Sequence, residues 1–314
     1  MAEEIKVYLR ESPSVQFSEE KVPIRGFNRN IASFVPKQDI KGIVLISHGL
    51  HEHSLRYGPF AYDLAEKNYA VYAIDHYAHG LSDGKKGLID NYKILVQDFV
   101  EFAKYVQSKH PDKPTFIFAH SCGTLVVILA VPDIKNVQAV ILSGAPLVVG
   151  PDSGSPFGVT CLYPLSKTSF AKGLTSCMSS LDPKGPVAPI AIRGITSDPE
   201  EAKIHGKDPR MFHNWIMNKT AFEVLKMTEE VKSQGLARFS LPVFVVHGGN
   251  DSVALPVGSE FVYANIKTEP TQKSIKIFDS LRHEMLHEKQ PQRSECAALF
   301  VNYFEEQFAL LTKP

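Results

Sequence analysis

The chain has 314 residues, enough for one large α/β domain carrying an insertion or for two ordinary domains. An apolar fraction of 44% and a charged fraction of 22% exclude the compositions of disordered chains and membrane spans. Lysine plus arginine equal aspartate plus glutamate at 34 each, so no net field favours nucleic acid, and a neutral or apolar ligand is expected.

The start, Met1-Ala2-Glu3-Glu4, is acidic and lacks the apolar run of a signal peptide, which makes the cytosol the expected compartment. Ile5 to Leu9 and Ile31 to Val35 are expected as antiparallel strands leading into a sheet. Six short apolar runs then read as buried parallel strands: Ile43 to Ser47, Val71 to Asp75, Thr115 to Ala119, Ala139 to Ser143, Val243 to His247 and Ser274 to Phe278. Between them, Pro59 to Lys67, Tyr92 to Ser108, Gly123 to Val131 and Ser259 to Asn265 have helical periodicity. Such alternation predicts an α/β fold with an open, mainly parallel sheet and helices on both faces. The alternation lapses from Leu147 to Phe239, where Gly, Pro and Ser gather at Gly150 to Gly158 and at Asp182 to Pro189. This predicts a cap over residues 147–239 that interrupts one core formed by residues 1–146 and 240–314. Cys122, Cys161, Cys177 and Cys296 have no paired spacing and read as free thiols.

Ala119-His120-Ser121-Cys122-Gly123 follows an expected strand and precedes a helical run, the context that gives G-x-S-x-G its meaning as a nucleophile elbow. Residues two before and two after the serine must be small, because neighbouring backbone passes close by; Ala119 replaces the usual first glycine and Gly123 keeps the second. A serine hydroxyl is a weak nucleophile until a histidine takes its proton, and that imidazole needs a carboxylate to fix its tautomer. The chain order of this elbow is Ser, Asp, His. Asp251, in His247-Gly248-Gly249-Asn250-Asp251, lies just past an expected strand and is the candidate acid; its other reading is a turn or helix-capping aspartate. Asp75 also follows a strand but precedes the serine, and is read as structural. His283, in the loop after the last strand, is the candidate base, ahead of His287, which is expected inside a helix beginning near His283. The backbone N–H groups of Leu50 and Cys122 are the candidate oxyanion donors.

His48-Gly49-Leu50-His51-Glu52-His53-Ser54-Leu55-Arg56-Tyr57, together with Asp75-His76-Tyr77-Ala78-His79-Gly80, the Asp251 segment and His283-Glu284-Met285-Leu286-His287-Glu288, resembles the monoacylglycerol lipase family. The resemblance spans nearly the whole chain outside the cap. It implies an α/β-hydrolase fold with an inserted cap, and hydrolysis of monoacylglycerols to a fatty acid and glycerol through an acyl-enzyme on Ser121. An apolar acyl channel, peripheral membrane contact through the cap and the absence of cofactor or metal are also implied. Glu52, Arg56 and His120 are implied to line or support a polar end for glycerol, and His205 stands where the family often has a tyrosine. Glu52 and Arg56 also read as an ion pair holding their loop. The cap segment Phe157 to Leu174 reads as an interfacial helix or a lid. Three alternatives stand beside this reading. The first is a lysophospholipase or broad carboxylesterase on the same residues. The second is a metal-dependent hydrolase using His48, His51, His53, His76 and His79. The third is a non-catalytic member of the fold that binds apolar ligands.

Overall fold

Eight strands form one sheet in the computed structural model, which describes residues 6–150, 152, 176–187 and 191–312. In chain order they are β1 (Val15–Ile24), β2 (Phe27–Pro36), β3 (Gly42–Ser47), β4 (Tyr69–Ile74), β5 (Thr115–His120), β6 (Val137–Ser143), β7 (Val243–Gly248) and β8 (Lys273–Phe278). Across the sheet the order is β1-β2-β4-β3-β5-β6-β7-β8. β2 pairs antiparallel with both β1 and β4, and every pairing from β4 to β8 is parallel. The helices that bear on the site are α1 (Gly58–Ala65), α2 (Tyr92–Lys109), α3 (Cys122–Ala130), α4 (Pro199–Lys207), α5 (Asn218–Glu230), α6 (Pro256–Asn265) and α7 (Gln292–Leu311).

The central strands are apolar at nearly every position because both of their faces are covered. Alternate residues go to opposite layers. Leu45, Ile117 and Val245 join Phe99 of α2, Leu125 of α3 and Val262 of α6 on one side. Val44, Phe116, Phe118 and Val246 join Phe60 of α1 with Phe300 and Phe304 of α7 on the other. Fully burying each such side chain contributes about 1.5–3 kcal/mol. Asn91 starts α2 by accepting a hydrogen bond from Lys93 N–H at 3.0 Å, satisfying a donor the helix leaves open. Among the described residues, no helix is long and apolar enough to cross a membrane.

Two expectations are corrected. Residues 6–9 form a turn closed by Leu9 N–H to Lys6 O at 3.0 Å, so the antiparallel partner of β2 is β1 and not Ile5 to Leu9. β1 is an edge strand whose alternation is blurred by Glu19, Glu20, Lys21 and Pro23, residues that edges use to discourage further pairing. The helix expected from His283 is a short 3₁₀ turn, Met285–His287, and the long helix begins only at Gln292. The stretch 147–239 is not uniform. α5 and the π turn after it (Val231–Gly235) pack into the core, where Met227, Val231, Leu236 and Phe239 join Phe99 and Leu125. Thr220 accepts from Ile89 N–H at 3.0 Å and Glu223 from Tyr92 N–H at 3.1 Å. Among the described residues of the stretch, those that line the cavity described below, from Ile192 to Asn214, all precede Asn218. Phe157 to Leu174, Cys161 and most of Gly150 to Gly158 lie outside the described residues.

Candidate active site

β5 runs straight into Ser121, which adopts φ 49° and ψ −124° before α3 begins at Cys122. This is a sparsely populated conformation for a residue with a side chain. It is held by hydrogen bonds from Ser121 N–H to Ser143 O and from Thr124 N–H to Ser121 O, each 2.8 Å. Gly123 is required by close approach, since a Cβ there would stand 2.4 Å from Ser47 O and 2.6 Å from His48 O. Ala119 sits fully buried in the core, where a methyl group fits.

His283 Nε2 lies 2.8 Å from Ser121 Oγ, and its Nδ1 lies 2.6 Å from Asp251 Oδ2. With Asp251 ionised, Nδ1 donates and Nε2 is left to accept the serine proton. Asp251 Oδ1 accepts from the N–H groups of Val253 and Ala254 at 2.8 and 2.9 Å. Its Oδ2 also meets His247 Nε2 at 2.9 Å, while His247 Nδ1 lies 2.6 Å from Ser259 Oγ. Burial alone would raise the Asp251 carboxyl, but His283 and His247 outweigh it and hold the group well below the usual carboxylate range. Burial would lower His283, but the Asp251 carboxylate outweighs it, so the imidazole titrates above its ordinary value. His287 turns elsewhere, its Nε2 3.2 Å from Arg56 O.

The loop after β3 packs against the serine, and a Cβ on Gly49 would stand 2.9 Å from Ser121 Cβ. Leu50 N–H makes no hydrogen bond among the described residues, and Cys122, as the first residue of α3, has no intrahelical acceptor for its own N–H. The loop is fixed by Glu52, whose Oε1 accepts from Gly49 N–H and from Tyr57 O–H, the latter at 2.9 Å. Its Oε2 accepts from Arg56 at 2.9 Å, and Arg56 makes a bidentate pair with Glu284 at 2.7 Å for each bond. All three charged groups are buried. Burial would raise the Glu284 carboxyl, but Arg56 outweighs it and holds the group well below its ordinary value. His120 lies under the base, ring centroids 4.7 Å apart, and burial depresses it so that it stays neutral. His205 on α4 faces the same cavity and is pushed down to about 4 by burial. The cavity, of about 220 Å³, is lined by Ser121, His283, Leu50, Glu52, His120 and His205 among others.

Two partners escaped the sequence reading. Glu284 and His247 stand inside the quoted motifs, beside His283 and at the head of the Asp251 segment, but Glu284 pairs with Arg56, 228 positions away, and His247 meets Asp251 only because the turn after β7 folds back. The histidine cluster does not converge as a metal site. His48 spends Nδ1 on Gly49 O (2.7 Å) and Nε2 on His76 N–H (3.0 Å), while His53 Nε2 pairs with Asp208 at 2.8 Å. Among the described residues, the convergent set is Glu52, His120 and Glu284, whose ligand atoms lie within 4.8 Å of one another. Their carboxylates are already matched by Arg56, which a cation would have to displace.

A family model described as serine aminopeptidase, S33 (Hydrolase_4) matches residues 38–290, from just before β3 to beyond His283. The chain belongs to this family. It is 28% identical over 247 residues to a monoglyceride lipase homolog from Monkeypox virus, covering 78% of this chain and 82% of the relative. It is 27% identical over 256 residues to a monoacylglycerol lipase from Mycolicibacterium smegmatis, covering 81% and 85%. A soluble variant of monoglyceride lipase from Saccharomyces cerevisiae, solved with a substrate analog, has the same fold at a TM-score of 0.79 and 18% identity, covering 96% of this chain and 98% of that one. The hydrolase thus has the α/β-hydrolase fold, and the resemblance read from its motifs agrees with the family found.

Proposed function

We propose that this hydrolase cleaves the ester bond of monoacylglycerols, giving a fatty acid and glycerol. The observation that carries the reading is the hydrogen-bonded chain Ser121, His283, Asp251 opening into a cavity with a polar wall. His283 Nε2 takes the proton as Ser121 Oγ attacks the ester carbonyl, and Asp251 steadies the imidazolium. The Leu50 and Cys122 N–H groups receive the developing oxyanion. The imidazolium then passes its proton to the glyceryl oxygen as the C–O bond breaks, leaving the acyl group on Ser121. Water attacks that ester with His283 again as base, the fatty acid leaves and the serine is restored. Glu52 and Arg56 hold the oxyanion loop, while His120 and His205 border the leaving alcohol. α4 and the residues that follow it up to Met217 belong to the cap, through which the enzyme touches a lipid surface peripherally. Family relatives that bear the names monoglyceride and monoacylglycerol lipase support this choice of substrate.

Initial rates on 1- and 2-monoacylglycerols, lysophosphatidylcholine and short p-nitrophenyl esters at matched concentrations test the substrate. Monoacylglycerols are expected to lead; preference for the lysophospholipid would assign a lysophospholipase instead. Failure of the protein to react with a fluorophosphonate probe would point to a binding protein.

Asp251→Asn is expected to lower kcat by about ten-thousand-fold, because an amide cannot hold the tautomer the reaction needs. Retention of a tenth of the activity in that variant would refute the assignment. The pH profile supplies a separate check. His283 must be neutral to act as base, and its folded value is raised, so kcat/KM is expected to rise with pH along a limb centred above the ordinary histidine value of about 6.5. In the residual activity of Asp251→Asn the imidazolium has lost its stabiliser, and the limb should move to lower pH. A shift in the opposite direction would contradict the role given to Asp251.

A further inference from the structure

Residue 51 is a histidine at a backbone position suited to glycine. Its φ is 68°, in the left-handed region, within the loop that begins at the end of β3. The conformation suits Gly best, yet the imidazole is 5% exposed and lines the cavity that holds Ser121. A side chain kept where the backbone disfavours it signals a use for that side chain.

The neighbouring histidines all spend a ring nitrogen on the protein. His48 uses both, His76 bonds Ser47 Oγ at 2.9 Å, His79 bonds Tyr77 O at 2.8 Å and His53 bonds Asp208 at 2.8 Å. His51 makes no side-chain hydrogen bond among the described residues, and its Nε2 is wholly shielded and unpartnered. The ring is kept in place by an edge-on contact with Phe212, centroids 4.8 Å apart, and the same residue's N–H donates to His51 O at 2.9 Å. Phe212 is seated in turn over Gly87, where a Cβ would stand 2.4 Å from its ring. The imidazole is therefore positioned by packing alone, with its polar capacity left over. A buried polar group without a partner is costly, and a ligand hydrogen bond removes that cost.

We infer that His51 is a specificity-determining residue, hydrogen-bonding a hydroxyl of the leaving alcohol next to the scissile ester. The inference rests on the ester-hydrolase reading above and deepens it. Burial pushes His51 down to about 3, helped by His79 and His213, so it presents one N–H and one lone pair and no charge. A hydroxyl offers the matching acceptor and donor. The leaving alcohol of a simple alkyl ester has no such hydroxyl and gains nothing from the same ring.

The test compares one acyl chain on two alcohols, as a 1-monoacylglycerol and as an ethyl ester, in the wild type, His51→Gly and His51→Asn. Glycine relieves the backbone, so that variant is expected to fold with unchanged or raised Tm. Its ratio of kcat/KM for the glyceryl over the ethyl ester should fall by about 10-fold, the size of one hydrogen bond lost to a buried partner. Asparagine, which tolerates the left-handed region and retains a donor and an acceptor, should recover part of that ratio. If the wild type prefers the glyceryl ester and His51→Gly keeps the preference, or loses both activities in parallel, the role of His51 is overturned while the substrate stands. A wild type with no glyceryl preference would overturn the monoacylglycerol reading itself, and the role of His51 with it.

Discussion

Ser121→Ala is expected to lower ester turnover by about a million-fold, the scale on which a nucleophile works with its base as one unit. Removing Oγ leaves His283 with nothing to deprotonate but water. The remaining donors at Leu50 and Cys122 sustain only the small residual catalysis that such sites show without a nucleophile. Stability should change little, because the Ser121 side chain caps no helix donor and its strained backbone is held by main-chain bonds. Steady-state and single-turnover assays, with fluorophosphonate labelling in parallel, measure this. Survival of a thousandth of the activity, abolished by a chelator, would move the chemistry to a metal-bound water.

Arg56→Ala is expected to cost about 3–5 kcal/mol of stability, because it leaves two carboxylates in the interior without their cation. That corresponds to a fall in Tm of roughly 10 °C. Arg56 joins Glu52 to Glu284 with every group buried, and nearby water cannot replace the lost charge. The pH dependence has a definite sign. In the wild type, Glu284 titrates below its ordinary value, so its contribution is complete above the unfolded carboxyl value and lost only in acid. In the variant, burial loses its main opponent and both carboxyls titrate higher than in the wild type, so the deficit should be largest near pH 8 and shrink toward pH 5. Denaturant midpoints at the two pH values test this. An equal deficit at both would show that packing and not charge holds the site.

The parts of the fold legible in the sequence are those with local signals. Strands β3 to β7 are buried on both faces and announce themselves as apolar runs, while β1, half exposed and charged at Glu19 to Lys21, does not. The turn at Ser121 was legible because a strand, a small-residue turn and a helix follow one another, and Asp251 and His283 were singled out because each follows a strand in the expected order. Glu284 is different. It pairs with a residue 228 positions away, and a glutamate beside a histidine has many ordinary explanations. The second imidazole on Asp251 was similarly hidden, since His247 reads as the last residue of a strand until the turn to Asp251 is seen to fold back on it. Likewise, α5 has the polarity of a surface helix, with Met227 as its deeply buried apolar side chain, and its packing on the core had no local signal.

The order of β6, β7 and β8 along the sheet has a consequence for how the protein becomes active during synthesis. The backbone contacts at the elbow come from β3, β5 and β6, since Ser121 is held by Ser143 and Gly123 lies against Ser47 and His48. Its two partners hang from β7 and β8, which are made last and added at the sheet's edge, and α7 must close over them from the far side. A ribosome adding about 5–20 residues per second therefore carries, for several seconds, a nascent chain that contains Ser121 and has yet to make His283. A chain truncated before β7 would lack Asp251 and His283, and on the proposed mechanism it would be inert.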